Sequence, residues 1–286
     1  MEYSIVLAIS ALLLLGLSSC FAKIPNEKLG ALPVMVYRGV FNVLILGTIL
    51  SFNFSASLPL KYLLIGLLVS ILGFFPLFFF FKSLEIGKAG VVSPISASYT
   101  LLTVLLAVVF FKESLNWLQI MAIFLAFCGI ILISINFKDF KSSHLFEKAS
   151  GIGYALLAAL TWGIYFFLIR IPTEHLGTYF MSFLVEIVIL FGSIIALLLS
   201  RKKVFPPISK SNLSSIFFVS LTISAGVLFY YQALNTGSVS IVSAIGSSTP
   251  LIVTIYGAIF LKERLRIQQY FGMVLILASI IGLSVL

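Results

Sequence analysis

A chain of 286 residues that is 61% hydrophobic and only 9% charged, with a mean hydropathy of +1.20, lacks the polar surface of a soluble domain, which is about 45–50% apolar and about a quarter charged. It reads as an integral membrane protein, and at about 20 residues per span its length holds roughly ten helices. A net charge of +9 could suit nucleic acid, but basic residues that hold loops on the cytoplasmic side explain it better, so no nucleic-acid partner is expected.

Apolar runs broken by short charged or Pro/Gly links predict spans over residues 3–22, 31–51, 60–81, 89–111 and 117–137. After a linker over 138–150, further spans are predicted over 151–171, 178–200, 214–235, 240–261 and 267–286. Leu17-Ser18-Ser19-Cys20 looks like a lipoprotein cleavage box, but the chain opens Met1-Glu2-Tyr3 without the basic start of a signal peptide, so the run is kept as a span.

The links that follow odd-numbered spans carry fourteen Lys and Arg, among them Lys23, Lys28, Lys82, Lys88, Lys138 and Arg201, whereas even links and their edges carry Lys61, Lys112 and Arg170. The positive-inside rule therefore places the odd links in the cytoplasm and both termini outside. A multi-pass protein of the cytoplasmic (inner) cell membrane is expected.

The chain repeats itself. A shift of 150 residues aligns Leu84, Gly87, Val92, Ser93, Ile95 and Ser98 with Leu234, Gly237, Val242, Ser243, Ile245 and Ser248. It also aligns Phe110, Lys112, Glu113, Leu115 and Gln119 with Phe260, Lys262, Glu263, Leu265 and Gln269. Near the start, Gly16 and Lys23-Ile24-Pro25 fall on Gly163 and Arg170-Ile171-Pro172 at a shift of 147. Random apolar sequence would match Leu with Leu but rarely Gly, Lys-Glu and Gln in register. Five spans is an odd number, so the second copy must enter the membrane from the opposite side. The fold class is thus all-α and integral to the membrane: ten transmembrane helices as two inverted five-helix repeats, 1–137 and 151–286, joined by 138–150. Inverted halves that rock about a midplane site are the architecture of alternating-access transporters.

Trp162-Gly163, Ser83-Leu84 and Ala233-Leu234 before tight Gly links, and Lys-Glu-x-Leu entering the last span of each half resemble the EamA-type transporters of the drug/metabolite transporter superfamily. The resemblance covers nearly the whole chain. It departs from that family where a basic cluster between the second and third spans is reduced to Lys61. What it implies is two five-helix halves, with a cavity lined by the first, third, fourth, sixth, eighth and ninth helices.

On those helices polar and aromatic side chains gather. Trp162 and Tyr165 lie on the sixth, Ser93, Ser96, Ser98, Tyr99 and Thr103 on the fourth, Tyr230, Tyr231 and Gln232 at the end of the eighth, and Ser243, Ser247, Ser248 and Thr249 on the ninth. Lys82, equivalent to Gln232, could attract a carboxylate, and the rings could stack on a substrate ring or hold a cation over their faces. Any single Ser is as readily a backbone-bonded one, and an interfacial aromatic belt accounts for part of the ring set. Pro94 and Pro250 free carbonyls among these residues, which hydrocarbon tolerates only beside a cavity or a partner.

Glu186 and Arg38 stand apart as charges deep inside spans, in equivalent helices of the two halves. Each is either a proton-coupling or cation-sensing group or a structural charge bonded to a neighbouring helix. Gly87 and Gly237 read as left-handed turn residues, and Glu113 and Glu263 as caps of the helix that follows them or local ion-pair partners. The small-residue seams over 122–126 and 278–282 suit close helix packing, within the chain or in a homodimer.

His144 and His175 lie in links, and Cys20 and Cys128 lie in different spans. No metal spacing, nucleophile with a partnered base or phosphate loop is present, so neither cofactor nor enzymatic activity is expected. The expected function is secondary transport of a small organic metabolite such as an amino acid, as an exporter, by alternating access with a central cavity between the repeats. A nucleoside, nucleotide-sugar or drug carrier is the alternative, ahead of an intramembrane enzyme acting on lipids.

Overall fold

A computed structural model describes residues 2–54, 58–86, 92, 95–134, 151–201, 203–260, 262 and 264–285, and every regular element among them is helical. The first half comprises α1 (Glu2–Leu29), α2 (Ala31–Asn53), α3 (Leu60–Ile86), α4 (Tyr99–Phe110) and α5 (Trp117–Ser134). The second comprises α6 (Ile152–Leu168), α7 (Arg170–Leu176), α8 (Thr178–Leu199), α9 (Lys210–Thr236), α10 (Val239–Gly246), α11 (Thr249–Phe260) and α12 (Ile267–Val285). Among the described residues nine helical stretches are long and apolar enough to cross a membrane, with α6–α7 and α10–α11 each crossing as one, and a shorter apolar helix, Ile95–Phe110, stands in the fourth place. The ten expected spans are all present. The linker at 138–150, Gly87, Ser93, Pro94 and Glu263 lie outside the described residues.

The pattern of burial is turned inside out relative to a soluble bundle. On α3, Leu64, Leu68, Ile71 and Phe75 recur at helical spacing and stay exposed, the face that lipid covers, while Ser70 is fully buried. Polar residues go inward because a bilayer offers their side chains no partner.

The halves meet through antiparallel pairs. On α1 and α9, Gly237 abuts Ser4 and Gly226 abuts Leu15; on α2 and α8, Gly39 abuts Leu190 and Gly47 abuts Phe183. On α5 and α12, Ala122 lies beside Gly282 and Gly129 beside Gly272. In every pair one number rises as the other falls, as inverted halves require. The seams over 122–126 and 278–282 therefore close on each other inside the chain, and Gly129 and Gly272 bring the backbones so near that a Cβ on either would stand 2.7 Å from the other's carbonyl oxygen.

The repeat extends to backbone conformation. Lys112 and Lys262, equivalent residues at the ends of the fourth and ninth spans, both take the left-handed form, with φ of 54° and 53°. That form costs an L-residue roughly 1–2 kcal/mol and normally selects glycine after a helix. The fourth and ninth spans also break alike. Ser98 and Ser248, again equivalent, each donate their amide to the carbonyl three residues back, at 3.2 and 3.1 Å, and accept from the amide three residues on, at 3.1 and 2.9 Å. In the ninth span the reason is Pro250, which has no N–H to give to Gly246.

Four boundaries depart from expectation by four or more residues, the eighth span beginning as α9 at Lys210 rather than at 214. Hydropathy ends the first and third spans at Ala22 and Phe81, but α1 runs to Leu29 and α3 to Ile86, since a helix continues beyond the hydrocarbon wherever its backbone bonds persist. The sixth span continues as α7 past Ile171, its end by hydropathy. Gly237 is not left-handed: its φ of −138° is extended. A glycine is needed there because a Cβ would stand 2.5 Å from Ser4 Cβ.

Gly272→Leu should force α5 and α12 apart and destabilise the protein by about 1–3 kcal/mol, whereas Gly282→Ala, whose Cβ would meet Ala122 at 3.7 Å, should be neutral. Thermal unfolding of the two variants in detergent checks this, and equal transition temperatures would contradict the close crossing.

Candidate functional site

Four helices converge on one aromatic cluster at the junction of the halves. Trp162, Tyr165 and Phe166 come from α6, Tyr99 from the start of α4, Phe80 from α3 and Tyr230 and Tyr231 from α9. The Trp162 ring lies 5.1 Å from Phe80 and 5.7 Å from Tyr99, and Phe166 lies 5.1 Å from Tyr99, 5.2 Å from Tyr165 and 5.1 Å from Tyr230. The helical register explains the gathering, because Trp162, Tyr165 and Phe166 share one face of α6. The hydroxyls are satisfied across helices: Tyr165 and Tyr231 hydrogen-bond to each other, and Tyr230 donates to Ser243 Oγ on α10 at 3.2 Å. Tyr165, Tyr230 and Tyr231 are buried, whereas Trp162 and Tyr99 are half-buried. Six of the residues singled out in the sequence, Trp162, Tyr165, Tyr99, Tyr230, Tyr231 and Ser243, are thus brought together.

The others are placed differently. Lys82 is instead ion-paired one turn along its own helix, its Nζ 3.0 Å from Glu85 Oε1 and its side chain 32% exposed. Gln232 accepts from Thr178 Oγ1 at 2.7 Å, tying α9 to the start of α8. Ser247 is buried but gives its hydroxyl to Ala244 O at 3.1 Å, within its own helix. Ser93 lies outside the described residues.

Arg38 and Glu186 find each other. Arg38 Nη2 donates to Glu186 Oε2 at 2.9 Å across the α2–α8 contact, with both side chains 4% exposed. Each charge is therefore bonded to a neighbouring helix, an arrangement open to both sequence readings. Around the pair runs a polar seam. Asn42, one turn along α2, accepts from Ser224 at 3.4 Å, and Ser182, one turn back on α8, is fully buried.

One cap lies elsewhere than the sequence suggests. Glu113 does not cap the helix that follows it. That end is closed by Asn116 and Gln119, which exchange backbone and side-chain bonds at 3.0 and 2.8 Å. Glu113 caps α10, in the other half. Its Oε1 accepts from Val239 N at 2.6 Å and from Arg170 Nη1 at 3.4 Å, and its Oε2 from Ser238 Oγ at 2.7 Å and Ser240 N at 3.0 Å. Arg170 also lies over the Phe111 ring, 5.3 Å from its centroid. The signal in the sequence was the Lys-Glu pair matched in both halves; its partner 125 residues away was not visible there. Beside these groups a crevice of about 460 Å³ opens between the halves, lined by Phe111, Glu113, Arg170, Glu174, Asn235 and Ser238 among others. Among the described residues no group of three or more His, Cys, Asp and Glu side chains could hold a metal ion.

A family model described as the EamA-like transporter family matches residues 2–135 and 149–285. An uncharacterized transporter of Archaeoglobus fulgidus is 27% identical over 208 residues, 71% of this chain and 68% of that protein. The matches to curated transporters span about two thirds of those proteins' length. An uncharacterized protein of Methanocaldococcus jannaschii is 31% identical over 139 residues, 48% of this chain but 99% of its own length, so its entire chain corresponds to about half of this one. A solved crystal structure superposes with a TM-score of 0.81 at 13% identity over 98% of this chain and 95% of that one, sharing the fold.

Removing one member of the Arg38–Glu186 pair leaves the other charged and buried, which costs about 3–5 kcal/mol. Arg38→Met and Glu186→Leu should each unfold the protein at markedly lower temperature, and the double variant should recover most of the loss. Additive losses in the thermal unfolding of the three variants would show that the pair is not the relevant contact.

Proposed function

Because this chain belongs to the EamA-like transporter family, we propose that it is a secondary transporter that exports small organic metabolites, amino acids among them, by alternating access. It is a multi-pass membrane transporter; the substrate, direction and mechanism are our reading. The observation that carries it is the aromatic and hydroxyl cluster of Trp162, Tyr165, Tyr99, Tyr230, Tyr231 and Ser243, built from both halves at their junction. A site made by two inverted halves is uncovered from one side or the other as they rock. The broken fourth and ninth spans border it, and discontinuous helices are where carriers of this architecture bind their cargo. We take 1–137 and 151–286 as the working halves with 138–150 as their tether, the cytoplasmic membrane as the location, and the termini as non-cytoplasmic.

A second reading is favoured by the placement of charge. Lys82, the cation expected to receive a carboxylate, is paired with Glu85, and Arg38 is paired with Glu186. What remains is a set of ring faces and hydroxyls, which suits a neutral or cationic ring-bearing molecule such as a nucleoside or a drug. Energy comes from a gradient or from exchange. Glu186 is the residue we assign to proton coupling, as the buried carboxylate that holds Arg38 across the two halves.

The test is uptake of a pooled metabolite mixture into proteoliposomes, with and without a pH gradient, read by mass analysis. Accumulation of one or a few compounds is expected, and amino acids against nucleosides or cationic rings separates the two readings. Nothing accumulating under either condition would overturn transport. Trp162→Ala should raise the apparent KM about three- to tenfold by removing ring contacts with expression unchanged, and Glu186→Gln should abolish the pH dependence. Unchanged flux and pH response in the Gln variant would end the coupling assignment.

A further inference from the structure

We propose that α10 is a gate and that Glu113 is the latch that holds it shut, an inference that rests on the transport reading above. The helix is only eight residues long, Val239–Gly246, and all eight are buried. Each of its ends is distinctive. At its C-terminus the chain passes through Ser247 and Ser248, where the helical ladder gives way to the tighter bonds Ser248 N to Ile245 O at 3.1 Å and Leu251 N to Ser248 O at 2.9 Å. Tight turns of this kind inside a span are flexible joints, and here Pro250 guarantees that the ladder cannot be completed. At its N-terminus the carboxylate of Glu113 takes the Val239 and Ser240 amides and the Ser238 hydroxyl at 2.6, 3.0 and 2.7 Å, with Arg170 at 3.4 Å as its counter-ion.

The carboxylate belongs to the first half, and the helix, Ser238 and Arg170 belong to the second, so the latch spans the line along which the halves must part. It also lies on the crevice that opens between them, which Glu113, Arg170 and Ser238 all line. Behind the latch, α10 reaches the substrate cluster. Ser243 receives the Tyr230 hydroxyl at 3.2 Å, and Gly246 packs so closely on the Tyr230 ring that a Cβ would stand 2.5 Å from it. Swinging α10 about the Ser247–Ser248 joint therefore breaks the Tyr230–Ser243 bond and lifts the helix from the ring, opening a path from the crevice to the cluster. Glu113 touches no substrate; it is a positioning residue, acting through α10. With the latch closed, this side of the carrier is sealed.

The test reads the exposure of α10 directly, independent of any substrate. Ser240 is fully buried, so in a background with Cys20→Ala and Cys128→Ala a Ser240→Cys reporter should react slowly with a water-soluble, membrane-impermeant maleimide in nanodiscs. Adding Glu113→Gln, which removes the charge and the second acceptor oxygen, should speed labelling by about tenfold or more, while Glu113→Asp should fall between. Equal labelling rates with Glu113 and with Gln would overturn the latch. Should the Gln variant fail to elute as a single folded species, Ser238→Ala carries the test. It removes one donor to the carboxylate, and a smaller rise is expected, no rise overturning the proposal. The two readings fail differently: a protein that moves no solute but still shows the labelling difference refutes transport alone, and one that transports with unchanged labelling refutes the latch alone.

Discussion

Hydrocarbon offers no partner to a carbonyl, an amide or a charge, and that constraint governs each irregular feature of this chain. Where the ninth span is interrupted before Pro250, Ser248 turns its hydroxyl onto Ala244 O at 3.0 Å, and where the fourth is interrupted Ser98 turns onto Ile95 O at 2.6 Å. The new helix end that the ninth span creates at Val239 would leave amides bare, and a carboxylate from the opposite half supplies them. Two charges deep in the bundle, Arg38 and Glu186, pair with each other. The serines answer these breaks within their own half, whereas the partners of the α10 amides and of the buried charges come from the other half of the molecule.

That origin decides what could be read from the sequence. Span number and approximate position were legible because the bilayer sets a length of apolar chain directly, and the inversion was legible because polar residues matched in register over an odd number of spans. Span ends were not, since hydropathy loses its meaning once a helix leaves hydrocarbon, as α1 does at Lys23 and α3 beyond Phe81. The misplacement of Lys82 follows from the second of these. With α3 ended at Phe81, Glu85 falls in a link; with the helix continued to Ile86 it falls one turn from the lysine and takes its charge. Glu113 and Arg38 were visible as unusual residues, but their partners depend on the antiparallel register of helices far apart in the chain. Glu113 was assigned to the nearest helix end, which Asn116 and Gln119 had already closed between themselves.

The aromatic side chains were recognised more completely than the charges for a related reason. Their role needs only that several helices point rings toward one axis, which helical periodicity reveals one element at a time. A cluster is a sum of faces, whereas an ion pair or a cap is a match between two specific atoms. The cluster in turn depends on those matches. Tyr230 keeps its place against α10 through Ser243 and Gly246, and α10 keeps its place through Glu113.

The Arg38–Glu186 pair carries a consequence for how the halves came to coexist in one polypeptide. It joins α2 to α8, corresponding helices of the two repeats that meet face to face. Neither the 147- nor the 150-residue shift sets a second arginine against Arg38, where a like charge would be repulsive at the depth where repulsion is least screened. The attraction exists because the two copies differ there, one carrying the cation and the other the anion. Each half is thereby made a poor partner for a second copy of itself and a good partner for the other, so the unlike charges act as a key that keeps the two repeats of one chain together.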